Sequence, residues 1–334
     1  MRFGLSLSGL LQHEGGANMA ERFTMVLELV RLARELGFDY VYAGHHYLSA
    51  PYQTLQPLVS LSRIAAETGE MDLLSTILMP LVHPVQLAED LATLDAISNG
   101  HIIISAALGY RDIEFDSFGV AHGERVARML ECLAVTKALW SGEPVTHEGR
   151  FFHLKDARIG VLPIQKPHPR VWMAANGDKM VERIGRMGHP WYLNPHAPFE
   201  TLARQVGLYK DAREAAGHGA LDVLPMSRET YVAPTREQAY RVARPFLEGK
   251  YNTYAAWGQD KALPGEESFQ VPFEELAKGR FIIGSPDDVI ADLSRFKELG
   301  VNHASLRFGW PGTPQKVVED AIRLAAAEVF PALR

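Results

Sequence analysis

The chain of 334 residues contains one cysteine, Cys132, so no internal disulfide can form, and this composition fits a reducing compartment. No run of about eighteen apolar residues occurs, so the sequence predicts no transmembrane helix. The first residues alternate like a short strand and do not resemble a signal peptide. A net charge of −6 gives no reason to expect nucleic acid as a partner. We therefore expect a cytoplasmic protein that binds neither membranes nor nucleic acid.

Several familiar catalytic motifs are also missing. The sequence has no HExxH, no CxxC, no Walker loop, no G-x-S-x-G and no GxGxxG after its first predicted strand. Its 13 histidines raise the possibility of a metal-dependent barrel hydrolase. Against that interpretation, no H-x-H pair ends the first strand and no carboxylate closes the eighth, so we expect no metal site.

Strand and helix signals alternate along the whole chain, which favours parallel βα units. Residues 83–119 show the pattern best, with a helix, an Asn99-Gly100 break, an apolar strand at 102–108 and a polar loop after Gly109. We predict an α/β fold, a single (β/α)8 barrel domain spanning residues 1–334. In such barrels the loops after the carboxyl ends of the strands carry the chemistry. The predicted strands cover residues 3–8, 40–44, 72–80, 102–108, 171–175, 191–194, 225–232 and 303–308.

The regular pattern fails between residues 247 and 279. This stretch is polar, aromatic and irregular, and it contains Tyr251, Tyr254, Trp257 and Phe269. A long loop inside a barrel is usually functional or mobile. We predict an irregular insertion near residues 247–279.

Two polar pairs stand out in the predicted strands, one at the carboxyl end of the second strand and one in the middle of the third. One ring of His45-His46 should face the barrel mouth, where a neutral imidazole can bind a planar heterocycle; the alternative is a histidine that caps the barrel end. Ser75 and Thr76 interrupt an apolar strand and leave room for a flat ligand, although their hydroxyls can also bond to local backbone.

A possible anion site follows the fifth predicted strand. The run Asn176-Gly177-Asp178-Lys179 opens a helix, and backbone N–H groups at a helix start bind phosphate readily. A plain helix cap at this position is an equally good interpretation. Arg111 and Arg125 are further candidates for the same anion, unless they form ion pairs with Glu114 and Glu124.

Taken together, these residues resemble the bacterial luciferase-like family of flavin-dependent monooxygenases and oxidoreductases. The passage HP-x(3)-AED-x(3)-LD within residues 83–95 is highly specific, and the resemblance covers the whole chain. The other segments that carry it are RFGLSL, YVYAGHH, LGYRDIEFDSFG, QKPHPRVWMAANG and GSPDDVIADLSRFKELGVNHASLRF.

The resemblance implies a (β/α)8 barrel that binds reduced flavin mononucleotide (FMN) at its C-terminal mouth, usually as a dimer. His45 corresponds to the family's active-site histidine beside the isoalloxazine. Ser75 and Thr76 fall where the family commonly has a non-proline cis peptide, a bond that costs about 3–4 kcal/mol. The other implied cofactor contacts are Gly109 and Tyr110 at the flavin, Ala174 and Ala175 at the ribityl chain, and Arg125, Asn176, Gly177, Asp178 and Lys179 at the phosphate.

The chain departs from luciferase itself at two positions. Leu108 stands where luciferase has an arginine, and Ala107 stands where it has a reactive cysteine. Without that arginine, the residues that contact the phosphate would be Arg111, Arg125 or Lys179. We do not expect light emission or a two-subunit luciferase.

The predicted function is an FMN-dependent monooxygenase that oxygenates a small, apolar organic substrate. A separate flavin reductase would supply the reduced FMN, and the chain would form a homodimer. Tyr251, Tyr254, Trp257 and Phe269 would form a lid over the substrate. Two alternatives are hydride transfer with a deazaflavin on the same barrel and a non-catalytic flavin-binding protein.

Overall fold

The computed structural model describes residues 1–265 and 267–334, and a curled parallel sheet surrounded by helices dominates them. The strands are β1 (Arg2–Ser6), β2 (Gln12–Glu14), β3 (Tyr40–Ala43), β4 (Tyr52–Thr54), β5 (Asp72–Leu78), β6 (Ile102–Ala107), β7 (Val145–Glu148), β8 (His153–Ala157), β9 (Arg170–Ala174), β10 (Trp191–Tyr192), β11 (Pro225–Val232), β12 (Ile282–Gly284) and β13 (His303–Arg307).

The main sheet has the order β10-β9-β6-β5-β3-β1-β13-β11-β12, and all its pairings are parallel. Strand β12 pairs with the carboxyl half of β11 only. A single bridge between Leu193 and Met226, with a 2.9 Å hydrogen bond from the Leu193 N–H to the Pro225 carbonyl, joins the β10 side of the sheet to β11. Two antiparallel hairpins, β2–β4 and β7–β8, lie outside this sheet.

Helices follow most of the parallel strands and cover the outer surface of the sheet. They are α1 (Met19–Glu35), α2 (Pro57–Thr68), α3 (Pro84–Ile97), α4 (Asp112–Ser117), α5 (Arg125–Leu139), α6 (Asp178–Met187), α7 (Phe199–Ala215), α8 (Arg236–Ala256), α9 (Phe273–Ala277), α10 (Pro286–Glu298), α11 (Gln315–Leu324) and α12 (Phe330–Leu333). None of the helices in the described ranges combines the length and apolarity that crossing a bilayer requires.

Strand alternation divides the buried side chains into two layers. One large cluster lies between the sheet and the helices, and a smaller aromatic cluster fills the concave side of the sheet. Gly4 is needed in that second layer, because a Cβ there would overlap the ring of Tyr40. The smaller cluster is formed by Tyr40, Tyr42, Leu74, Ile103, Trp172 and Tyr192.

The predicted α/β fold with a parallel sheet is confirmed, and each predicted strand overlaps an observed one. The prediction for residues 247–279 is wrong in its first third, because α8 continues without a break to Ala256. Its buried positions Leu247, Tyr251 and Tyr254 are spaced by four and three residues, as one helix face requires. The polar loop predicted after Gly109 is shorter than expected, since α4 begins at Asp112.

Candidate active site

A cavity of about 1050 Å³ opens at the carboxyl ends of the parallel strands. Its wall is made by residues that follow β3, β6, β9 and β10 and by the last turns of α8. Pockets of this size hold a cofactor or a drug-sized ligand. The cavity lies where α/β barrels place their chemistry.

His45 follows β3, lines this cavity and is only 6% exposed. Its Nδ1 accepts a 3.3 Å hydrogen bond from the Leu78 backbone N–H. Burial and then the neighbouring His46 lower the pKa of His45 to about 4, so the ring is neutral at pH 7. A neutral ring that accepts on Nδ1 carries its proton on Nε2. His45 is therefore a fixed hydrogen-bond donor through Nε2.

His46 also lines the cavity, but it is bound to a buried carboxylate. Its Nδ1 lies 3.3 Å from Glu114 Oε1, which also accepts from the Tyr47 N–H at 2.9 Å and from Arg111 Nη1 at 3.3 Å. Burial alone would raise the pKa of Glu114, but these bonds and charges outweigh it and the pKa is lowered. This network fixes the loop after β3 against α4.

Arg111 is not available for an anion. Its guanidinium is buried, donates to the carbonyls of Tyr47 and Leu48 at 2.6 and 3.0 Å, and stacks 4.1 Å from the Trp257 ring centre. The expectation that Arg111 could take over phosphate contacts is therefore wrong, because its donors hold the loop.

The exposed end of the cavity is formed by Arg125, Gly177 and Lys179. Gly177 precedes α6, and no side chain in residues 1–265 or 267–334 caps that helix. Among the described residues, no protein acceptor takes the N–H groups of Asp178 and Lys179. These free donors, the helix dipole and the Lys179 ammonium together suit an anion.

Asp178 contributes its backbone to this end, but its carboxylate is already paired. Arg204 binds it with both terminal nitrogens, at 2.7 and 3.0 Å, and Gln205 Nε2 donates to it at 2.8 Å. The bond from Arg204 is the main reason that the pKa of Asp178 is lowered. An anion at the start of α6 therefore does not meet an unpaired carboxylate.

Tyr110 and Thr76 also line the cavity. The Tyr110 hydroxyl is buried and has no hydrogen-bond partner in the described residues, and burial raises its pKa well above the usual value. Thr76 Oγ1 lies 3.0 Å from the Tyr42 hydroxyl. An unpartnered buried hydroxyl is costly, and that of Tyr110 has almost no surface open to the cavity.

The buried end of the cavity is the part of its wall that contains Arg307. Arg307 forms an ion pair with Glu229, which also pairs with Lys250. Arg307 Nη1 donates to Glu229 Oε1 at 2.7 Å, and Lys250 Nζ donates to the same oxygen. Trp310 Nε1 donates to Glu229 Oε2 at 2.6 Å. Burial alone would raise the pKa of Glu229, but the charges of Arg307 and Lys250 outweigh it and the pKa is lowered.

Most of the predicted site residues line this one cavity. Ser75, Tyr251 and Phe269 do not. The residues that do are His45, Thr76, Gly109, Tyr110, Arg125, Ala174, Ala175, Asn176, Gly177, Asp178, Lys179, Tyr254 and Trp257.

The predictions for Ser75 need correction. Residues Ser75 and Thr76 pair with Ile104 and Ser105 in regular register, and in the described residues the cis bonds precede only Pro51 and Pro167. The Ser75–Thr76 peptide is therefore trans. Ser75 is not among the residues that line the cavity, and it bonds to the Thr76 carbonyl at 3.2 Å.

Two of the four predicted lid residues, Tyr251 and Phe269, belong to the hydrophobic core. Tyr251 and Phe269 are 1% and 2% exposed and pack against each other with ring centres 4.8 Å apart. Tyr251 hydrogen-bonds His196 at 3.0 Å behind the cavity wall. Only Tyr254 and Trp257, at the end of α8, reach the cavity.

The buried end was not predicted. Its signal was present, because Glu229 and Arg307 are charged residues in predicted buried strands, and such residues are almost never buried unpaired.

Within the described ranges, no group of three or more histidine, cysteine, aspartate or glutamate side chains could hold a metal ion.

Comparison with known proteins gives one family. A family model described as "Luciferase-like monooxygenase" matches residues 1–303. The oxygenase component of a flavin-dependent trigonelline monooxygenase from Acinetobacter baylyi is 26% identical over 295 residues, which is 84% of this chain and 81% of that protein.

A second relative differs in cofactor. An F420-dependent glucose-6-phosphate dehydrogenase from Amycolatopsis mediterranei is 25% identical over 329 residues, covering 92% of this chain and 94% of that protein. Among solved structures, the monooxygenase RslO1 from Streptomyces bottropensis superposes with a TM-score of 0.86 at 27% identity, covering 100% of both chains.

Proposed function

The chain belongs to the luciferase-like monooxygenase family of oxidoreductases, and from this premise we propose that it is an FMN-dependent monooxygenase. It would use reduced FMN and O₂ to oxygenate a small organic substrate. The observation that carries the proposal is one cavity that combines a free helix N-terminus at its exposed end with the neutral donor His45. The first feature suits a phosphate and the second suits a polar heterocycle.

The residues fit a phosphorylated flavin. The N–H groups of Asp178 and Lys179, the Lys179 ammonium and Arg125 would bind the phosphate. Ala174 and Ala175 would lie beside the ribityl chain. Gly109 and Tyr110, which line the cavity, would lie beside the flavin ring. A cavity of about 1050 Å³ leaves room for a small substrate as well.

The bound reduced flavin would supply the electrons that activate O₂ for transfer of one oxygen atom to the substrate. The protein contributes position, a proton donor and exclusion of water. His45 would donate from Nε2 to the cofactor, and it stays neutral because burial keeps its pKa near 4. Tyr254 and Trp257, with ring centres 5.2 Å apart, would cover the substrate with an aromatic wall.

The proposal includes the protein's partners and assembly. The trigonelline relative is described as an oxygenase component, which supports a separate flavin reductase as the donor of reduced FMN. We propose that residues 1–334 act as one barrel domain and that two copies form a homodimer, as expected for this family.

The test is isotopic. The purified chain, a flavin reductase, NADH and FMN are incubated under ¹⁸O₂ with a panel of small organic compounds. One ¹⁸O atom in a product, at a rate that depends on the chain, supports the proposal. Products that form at the same rate without O₂ contradict it.

A second candidate is hydride transfer with a deazaflavin. The relative that uses F420 covers more of this chain than the trigonelline relative does, at nearly the same identity. This function predicts substrate oxidation or reduction without O₂ when F420 is supplied. FMN would then give no turnover.

A further inference from the structure

The buried end of the cavity has more positive charge than its carboxylate can balance. Arg307 and Lys250 both donate to the same Glu229 oxygen, and Trp310 uses the other oxygen. Glu229 is 0% exposed, so solvent does not share the charge of this carboxylate. Two basic groups therefore share one carboxylate in a place where unbalanced charge is costly. Burial and the charge of Arg307 lower the pKa of Lys250 to about 7, so at pH 7 Lys250 is only partly protonated and Arg307 is the permanent cation.

The surroundings add further positive charge. Arg228 is 1% exposed and donates to the Asn194 carbonyl at 3.0 Å, while its Nε and Nη2 have no partner in the described residues. Arg280 is paired with Glu267 at 2.7 Å. Burial and the charges of these four cations hold the pKa of His196, which lines the cavity, well below its usual value.

Of these cations, Arg307 is the one that lines the cavity. Its Nη1 bonds to Glu229, and its Nε lies 3.5 Å from Ser6 Oγ. Its Nη2 donates to no group in the described residues. This nitrogen also keeps some accessible surface, unlike the fully buried polar atoms that lack a partner. This nitrogen is therefore free to donate into the cavity.

The wall around Arg307 is aromatic and polar. Tyr42, Tyr192 and Tyr254 line the same cavity, and their hydroxyls are bound to Thr76, Ser305 and Gln12. Each of these side chains is 4–8% exposed, so a flat apolar body would contact the small part of each ring that reaches the cavity. Strands β10 and β11 lie between β13, which ends at Arg307, and β9, which leads to the exposed end.

We propose that the buried end binds an anionic group of the substrate, so that the substrates of this enzyme are small planar carboxylates whose carboxylate is held by Arg307. This assignment rests on the proposed function for the reaction, but the binding step needs no flavin. It replaces the expectation of a purely apolar substrate, because a neutral apolar molecule would leave Arg307 Nη2 without a hydrogen-bond acceptor. Guanidinium–carboxylate pairs are strong and well oriented.

The test uses benzoate and its neutral analogue benzamide as probes on flavin-free protein. Binding is measured by calorimetry and by the shift in melting temperature. We expect benzoate to bind at least about tenfold more tightly than benzamide. In Arg307→Gln the preference should disappear, and in Arg307→Lys part of it should return.

Two control variants locate the effect. Arg244→Gln removes an exposed arginine that pairs with Glu248 and Glu274, and it should leave benzoate binding unchanged. Lys179→Gln should also leave it unchanged, whereas loss of benzoate binding in that variant would assign the anion to the exposed end and overturn the proposal.

The outcomes separate this inference from the proposed function. FMN binding without any preference for benzoate over benzamide in the wild-type protein contradicts the inference and leaves the monooxygenase proposal intact. A benzoate preference that depends on Arg307, in protein that fails to bind FMN, supports the inference and contradicts the monooxygenase proposal. If Arg307→Gln does not fold, the wild-type preference and the Arg307→Lys variant still decide.

Discussion

The two ends of the cavity both attract anions, but they do so by different physical means. The exposed end uses a free helix N-terminus and the solvated charges of Lys179 and Arg125. The buried end uses Arg307 and Lys250, which share Glu229 away from water. Solvent screens the charges of the exposed end, so removal of one of them has little effect on the others. The charges of the buried end interact strongly with one another because water does not screen them. A substitution should therefore have a small effect at the exposed end and a large one at the buried end.

The largest expected effect is on stability at the buried end. Glu229→Gln keeps the shape of the side chain but leaves Lys250 and Arg307 without a carboxylate, so the free energy of unfolding should fall by about 3–5 kcal/mol. Urea denaturation measures this loss. The matched change Glu248→Gln breaks an exposed pair with Arg244 and should cost less than about 1 kcal/mol. Similar losses in the two variants would remove the contrast between buried and exposed charge.

Next in size is the effect of the donor that lies on the cavity wall. His45→Ala should reduce product formation about 100-fold or more, because the hydrogen bond from Nε2 is lost, while the circular dichroism spectrum stays that of the folded protein. His153→Ala, an exposed change on the β7–β8 hairpin, should leave the rate unchanged. Undiminished turnover in His45→Ala would remove the role assigned to this ring.

Acid should destabilise the folded protein through its buried histidines. His45 has a pKa near 4 and His196 a pKa well below its usual 6.5, whereas in the unfolded chain both rings take up protons near pH 6.5. Below that pH the unfolded state binds more protons, so the free energy of unfolding falls as the pH drops towards 4. His45 alone should contribute a loss of roughly 1.5 kcal/mol between pH 6.5 and 5, measured by urea denaturation, and His196 adds to it. His45→Gln should reduce this dependence by the contribution of one ring, because His196 still contributes, and His153→Gln should not change it. Equal slopes in all three proteins would contradict the assignment.

The smallest expected effect is at the exposed end. Lys179→Gln should weaken FMN binding about three- to tenfold at low salt, and less at high salt because the charge is screened. Equilibrium dialysis at two salt concentrations measures it. A loss of more than about a hundredfold that persists at high salt would mean that this end is as strongly coupled as the buried one.

The sequence was sufficient to predict the parts of the fold that depend on local pattern. Apolar runs and glycine breaks located the strands, and the motif at Asn176–Lys179 located a helix start at the cavity. The error at residues 247–256 arose because Pro245, Gly249 and several aromatic residues obscured a helical spacing that continues to Ala256.

The contacts of the buried end depend on tertiary structure. Glu229 and Arg307 are 78 positions apart and meet because β11 pairs with β13, a pairing that the residues of either strand do not specify. The orientation of Ser75 and Thr76 likewise depends on the register of β5 against β6. Sequence alone therefore identified candidate residues more readily than their partners.

The most direct test of the central claim is anaerobic binding of reduced FMN to flavin-free protein, compared with reduced riboflavin and reduced F420. Equilibrium dialysis gives the three dissociation constants. The account predicts one FMN site per chain and at least about tenfold tighter binding of FMN than of riboflavin, because only FMN has a phosphate for the exposed end. Equal affinity for FMN and riboflavin, or tighter binding of F420 than of FMN, would contradict it.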